Sequence, residues 1–214
     1  MIDYLIKLMP SMTEGLSVTI NLFALTLLLS LPLGMIIALG RLSKNKMISG
    51  SVQLYTWVMR GTPLMLQLVF VFFGLPLIGI AFDRYEAALL AFVLNYAAYF
   101  AEIFRSGIQS IETGQHEAAK VLGYSPSKSF FRIILPQVVK RVLPPVANEF
   151  ITLVKDTSLV YVVGLGELLR AGKIAANRDA SLVPLIVVAL FYLLLTAILT
   201  QFFKYCEDKT SYYE

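Results

Sequence analysis

A chain of 214 residues that is 57% hydrophobic and 15% charged, with a mean hydropathy of +0.73, is too apolar for a soluble domain, in which about a quarter of residues carry charge. The apolar residues come in blocks long enough for a bilayer rather than scattered as for a buried core. A single cysteine, Cys206, excludes an intrachain disulfide framework, a single histidine, His116, leaves no customary zinc cluster, and the net charge of +4 matters less for its size than for its placement.

The first apolar run, residues 18–39, is longer than the ~7–15 residues of a cleavable signal core. It is long enough to span, and RLSKNK (41–46) follows it as a cytoplasmic stop. The second predicted span, 54–78, is interrupted by Arg60 and Pro63. Arg60 is expected to snorkel to the inner headgroups, Gly61-Thr62-Pro63 to bend the helix, and Gln67, one turn deeper, to line a path. The third span, 86–106, carries Asn95, Tyr99 and Glu102 at spacings of four and three, hence on one helical face with Tyr96 alongside. An amide, a phenol and a carboxylate on one stripe can meet an ammonium and a carboxylate. Glu102 has a plainer partner in Arg105 at i+3.

Residues 107–136 are too polar to insert and too patterned to be a slack linker. Thr113 is expected to cap a short helix, Gly123 to end it in the left-handed conformation, and Ser125-Pro126 to start a second helix that Pro136 closes. The result is a helical elbow that either rests on headgroups or docks a partner. The fourth span, 143–165, is broken by Asn148, Glu149, Thr152, Lys155, Asp156, Thr157 and Ser158. Glu149, Thr152 and Asp156 share a face; the stretch either lines a pore, or Lys155 and Asp156 pair with other helices and fix a dimer. Pro144-Pro145 is expected to kink or delay that helix. The fifth span, 182–203, is the purest. Tyr4, Trp57, Tyr205, Tyr212 and Tyr213 read as interface or tail aromatics.

Helices are the expected form, because backbone in lipid must satisfy its own hydrogen bonds. The fold class is therefore an all-α integral membrane protein of about five transmembrane helices forming one domain over 1–214. An outside N-terminus places twelve of the 18 Lys and Arg on the inner side and five on the outer, so the bias favours N-out and C-in. The elbow is then cytoplasmic.

Three stretches carry a family resemblance. Glu117, Ala118 and Ala119, followed by Gly123 and then by Ile133, Leu135 and Pro136, resemble the EAA loop of ABC importer permeases. RGTPLMLQ (60–67) and NEFITLVKDTSL (148–159) resemble segments of that family's polar amino acid branch. The resemblance covers nearly the whole chain. It implies a permease subunit of an ATP-driven, binding-protein-dependent importer in a bacterial cytoplasmic (inner) membrane, working by alternating access. It implies that Glu117, Ala118, Ala119, Gly123 and Pro126 couple to a separate cytoplasmic ATPase that holds ATP and Mg. It also implies a second permease copy or paralogue, an extracytoplasmic amino-acid-binding protein, and a substrate path through Gln67, Asn95, Tyr99, Glu149, Thr152, Asp156 and Ser158. No nucleic acid partner is expected.

The chain offers no motor of its own. Its nearest approach to a phosphate-cradling GxxxxGK[ST] is GELLRAGKI (166–174), which has one residue too many between its glycines and lacks the hydroxyl. A gradient-driven transporter, with Asp156, Glu149 and Lys155 relaying protons, is the rival reading, and it leaves the elbow unexplained. A non-transporting anchor subunit would bind the ATPase without a wet cavity. An intramembrane enzyme is disfavoured by the lack of GxSxG and HExxH.

Overall fold

The first apolar run lies inside a helix much longer than itself. In a computed structural model that describes residues 2–210, α1 runs Ile2–Arg41, 40 residues. At 1.5 Å per residue it is about 60 Å long, twice the ~30 Å of a bilayer's hydrocarbon. The remaining elements are α2 (Lys46–Gly61), α3 (Leu64–Val69), α4 (Arg84–Gln109), α5 (Thr113–Val121), α6 (Pro126–Ser129), α7 (Leu135–Asp156), α8 (Leu168–Arg178) and α9 (Val183–Thr210). There is no strand among the described residues. Tyr212 and Tyr213 lie outside them.

Among the described residues, α1, α4 and α9 are each long and apolar enough to cross a membrane. The expected second span is bent by 103° between α2 and the Leu64–Ile78 helix and passes the same test only as a broken pair. The expected fourth span falls on α7 and the 3-10 turn Thr157–Val163. That helix starts at Leu135, earlier than composition suggested, and carries Lys140, Arg141, Glu149, Lys155 and Asp156 along its length.

Prolines shape two of these elements. Pro76 and Pro136 each follow a wide π turn, Phe70–Gly74 and Phe130–Ile134. In both, the residue just before the proline donates its N–H five residues back, Leu75 to Phe70 O and Leu135 to Phe130 O. A proline ring clashes with the carbonyl four residues earlier, and an i→i−5 turn takes that carbonyl out of the way. Pro136 therefore does not close the second elbow helix but sits in the first turn of α7. Pro144 and Pro145 lie inside α7, which continues through them without a break.

The core is a seam between α1 and α4. Gly34 is the tightest point: a Cβ there would sit 2.8 Å from Phe100 Cβ. Thr26, Ser30 and Ala38 on α1 and Ala91, Ala97, Ala98 and Ala101 on α4 keep the rest of the seam narrow and are buried. Small residues let two backbones approach where lipid offers no hydrophobic incentive to do so. Leu22, Leu64, Leu68, Phe92, Tyr96, Phe100 and Leu153 fill the space that α3, α4 and α7 share with α1. A second cluster joins the start of α1 to α8 and α9 through Leu8, Met12, Leu168 and Val188. A third, with Ile111, Ile134, Val138 and Val142, fastens the elbow to α4 and α7.

Candidate functional site

A cavity of about 610 Å³ opens where the bend after α2 meets α4 and α7. Arg60 through Met65 form one wall, Asn95, Tyr96 and Tyr99 a second, and Glu149, Thr152, Asp156 and Leu159 the third. Five of the seven path residues expected from the sequence are thus brought together: Asn95, Tyr99, Glu149, Thr152 and Asp156. Helical spacing explains why: positions 95 and 99 share one face of α4, and 149, 152 and 156 one face of α7. Gln67 and Ser158 are half-buried and are not part of its lining.

The chemistry of the walls is mixed. Tyr96, at 2% exposure, donates its hydroxyl to Asp156 Oδ2 at 2.8 Å. The Arg60 guanidinium lies 5.4 Å from the centroid of the Tyr99 ring, a cation–π contact. Arg60 is exposed and lines the cavity beside Tyr99. Glu102 pairs with Arg105 as the i+3 spacing suggested, and its Oε1 receives Arg105 Nε at 2.8 Å. Lys155 is exposed and lies outside the cavity lining.

The bend itself rests on amides. Thr62 and Pro63 are extended (φ −119°, ψ 146° and φ −62°, ψ 134°). Proline has no N–H, so the Met59 carbonyl, four residues back, loses its helical donor. Gln67 Nε2 donates to that carbonyl at 2.9 Å and Asn95 Nδ2 does so at 3.0 Å.

The elbow has the expected turn and some unexpected detail. Gly123 is left-handed at φ 75°, its N–H donates to Lys120 O, and the Tyr124 N–H donates to Ala119 O. This pair of bonds is a Schellman closure. Ser125 caps α6, with Pro126 at its first turn. Thr113 does not cap α5: Glu112 holds the cap position, without a side-chain bond, and Thr113 is already helical. Ala119, at 1% exposure, faces inward against the second half of the elbow, where a larger residue would hold the two arms apart. Glu117, Ala118, Gly123 and Pro126 remain on the surface. Val121 and Leu122, not among the residues expected at the contact, are 87% and 72% exposed and make an apolar tip beside Glu117. Two large aliphatic residues directly before a helix-ending glycine are the signal that could have found them.

At the other end of the molecule, Glu167 is fully buried. Its carboxylate accepts from Leu169 N and Arg170 N, both at 2.6 Å, and from the Tyr192 hydroxyl at 3.1 Å. Burial pushes its carboxyl above the usual carboxylate range, against the pull of these donors. At the opposite end of α8, the carboxyl of Asp179 is held down to about 2 by Arg178 and by the Tyr4 hydroxyl, which donates to it at 2.7 Å. No group of three metal-ligating side chains occurs among the described residues.

Residues 30–212 match the family described as the binding-protein-dependent transport system inner membrane component. The chain is 41% identical over 202 residues to an arginine transport system permease protein of Bacillus subtilis, covering 94% of this chain and 92% of that one. It is 33% identical over 214 residues to a putative glutamine transport system permease protein of Rickettsia conorii, covering 98% of each. Among solved structures it resembles an amino acid ABC transporter crystallised with histidines, with a TM-score of 0.90 at 33% identity, covering 96% of this chain and 97% of that one. A methionine ABC transporter shares the fold with a TM-score of 0.76 at 18% identity, covering 95% and 98%.

Proposed function

The chain belongs to the family of binding-protein-dependent transport system inner membrane components, and from that membership we propose that it conducts a cationic amino acid through the cavity between α2, α4 and α7. It is a membrane-spanning permease subunit of an amino acid ABC transporter, not an enzyme, and ATP is hydrolysed on a separate subunit. The observation that carries the substrate class is the charge balance of the cavity wall, where Glu149 and Asp156 face a single Arg60. An amino acid brings one carboxylate for Arg60 and one α-ammonium for an acidic partner. The acidic group left over is matched only if the side chain is cationic as well. Tyr99 and Thr152 supply the neutral contacts.

The chain crosses the membrane five times in this reading, by α1, the bent α2–α3 pair, α4, α7 with its 3-10 turn, and α9, with the N-terminus outside and the C-terminus inside. The Lys and Arg bias supports that orientation. The elbow, 107–136, is then cytoplasmic and is gripped by an ATPase, with Glu117, Ala118, Gly123 and Pro126 at or beside the contact, Ala119 packing beneath it, and Val121 and Leu122 as its apolar tip. ATP and Mg belong to that partner. A second copy or a paralogue completes the translocation path, and an extracytoplasmic binding protein delivers substrate to the outer loops, which include 166–181. Two faces biased by different partners make the bundle a bistable element whose cavity opens inward or outward in turn.

The test is uptake of labelled amino acids into proteoliposomes holding the permease with its ATPase and binding protein. Arginine, lysine or histidine should enter only with ATP and should outcompete glutamine. Glu149→Gln should raise the half-saturating concentration of the cationic substrate by roughly ten- to a hundredfold, the worth of one charged hydrogen bond. Unchanged selectivity in that variant, or preferred uptake of an acidic amino acid, would refute the assignment.

A further inference from the structure

We infer that Gln67 and Asn95 form a positioning joint that carries movement of α4 into the broken helix, rather than a pair of substrate ligands. The Met59 carbonyl is the acceptor that Pro63 cannot serve, and both side-chain amides converge on it. Gln67 Nε2 also donates to Thr62 Oγ1 at 2.8 Å and approaches Thr62 O at 3.3 Å, while Asn95 Nδ2 donates to Gln67 Oε1 at 3.0 Å. A side-chain amide carries two N–H donors. Those of Asn95 are spent on Met59 and Gln67, and those of Gln67 on Met59 and Thr62. Turning either amide over would set its carbonyl oxygen against that of Met59. The pair therefore has no donor left for a substrate carboxylate, although Asn95 lies at the cavity wall with 4% of its surface exposed.

What the pair joins gives it a task. Asn95 sits midway along α4, whose end at Gln109 leads through three residues into the elbow helix α5. Gly61 to Met65, on the far side of the amides, form one wall of the cavity. A pull on the elbow moves α4, and the amides are the polar attachment between α4 and that wall. The Tyr55 hydroxyl, which donates to Leu94 O at 2.5 Å, ties the same two helices one residue away.

The inference rests on the transporter reading but not on the substrate class, and the experiment separates the two. Gln67→Met and Asn95→Leu nearly preserve volume and remove the donors. In the reconstituted complex each should lower the maximal uptake rate by up to about tenfold, as expected for the loss of hydrogen bonds from the joint while the Met59 carbonyl keeps its other amide donor. The half-saturating concentration and the ranking of competing amino acids should stay within about twofold of the parent, and the double variant, which alone strips the Met59 carbonyl of both amide donors, should be slower than either single one. A second readout uses Gly61→Cys in a Cys206→Ser background, since a Cβ at Gly61 meets nothing within 4 Å. Its thiol-labelling rate should differ between nucleotide-free and ATP-trapped complexes, and that difference should vanish when Gln67 or Asn95 is replaced. Should both variants fail to assemble, Thr62→Val removes one acceptor of the set and should shrink the labelling difference by itself. A raised half-saturating concentration or a reordered competition series would make the amides substrate ligands. Full uptake and unchanged labelling in the variants would make them passive packing. Labelling requires only nucleotide, so it reads the joint even where the substrate class is wrong.

Discussion

Glu167 shows what one buried carboxylate organises. It caps α8, receives the Tyr192 hydroxyl from α9, and its own backbone lies 3.0 Å from where a Cβ on Gly15 of α1 would stand. Three helices meet on it. Glu167→Ala removes the cap and leaves the Tyr192 hydroxyl unpartnered, a loss of roughly 2–4 kcal/mol, so the purified complex should melt several degrees lower. Glu167→Gln keeps an acceptor and should fall in between. The pH dependence has a definite sign. Burial raises this carboxyl in the folded state above its usual 4.5, so the folded chain holds the proton over a window where the unfolded chain has released it. The stability this group contributes is present below about pH 4.5 and is lost as pH rises through the raised value. Melting at about pH 5 and about pH 7 should show that slope in the parent and a flatter one in Glu167→Gln. In the sequence this residue was hidden in GELLRAGKI, which attracts attention only as a failed phosphate loop. An acidic residue one position ahead of an amphipathic helix is the pattern that was available. Gly123 was fully legible, because a glycine after a short amphipathic run has one common use.

The π turns belong to the scale of elements. Each adds the equivalent of one residue to a helix, so the segment before it is rotated by about 100° relative to an uninterrupted α-helix. At Phe130–Ile134 this sets the direction in which the elbow leaves α7. Pro136→Ala restores an N–H that can reach Arg132 O, and the turn is expected to tighten. The outcome should be a normal amount of assembled complex with ATP-driven uptake reduced several-fold, measured as transport per ATP hydrolysed. Equal coupling in parent and variant would mean that the turn is held by packing alone. Hydropathy windows could not see such features. They located 18–39, 86–106 and 182–203 because those runs are continuous. Over 54–78 they averaged across a 103° bend, and before 143 they missed the start of α7 because its first turns are polar. Side-chain periodicity did better than hydropathy at the cavity, since spacings of three and four survive interruption. It could not tell Asn95 from Tyr99, because both lie on the correct face and only the hydrogen-bond partners separate them.

For the whole molecule the question is how force enters. The elbow hangs from α4 and α7 through Ile111, Ile134, Val138 and Val142. The approach there is close: a Cβ on Gly107 would lie 2.2 Å from Val142 Cγ1. A partner pulling on the elbow therefore moves two cavity walls together. The proposed place to grip it is the tip, where Val121 and Leu122 are more exposed than Phe131, the elbow's other exposed large apolar side chain. Apolar side chains buried at the centre of an interface carry more of its energy than charges at its rim. Leu122→Asp should therefore cost about 2 kcal/mol or more of ATPase binding, roughly thirtyfold in affinity. Glu117→Lys, a change at the margin, should act more on salt dependence and association rate. Co-purification of the ATPase with each variant at low and high ionic strength distinguishes the two effects. Leu122→Asp should lose the ATPase at both, whereas Glu117→Lys should differ most from the parent at low salt, where charge is least screened. If the charge reversal alone abolishes binding at every salt concentration while Leu122→Asp binds normally, the grip is electrostatic and the apolar tip is not its anchor.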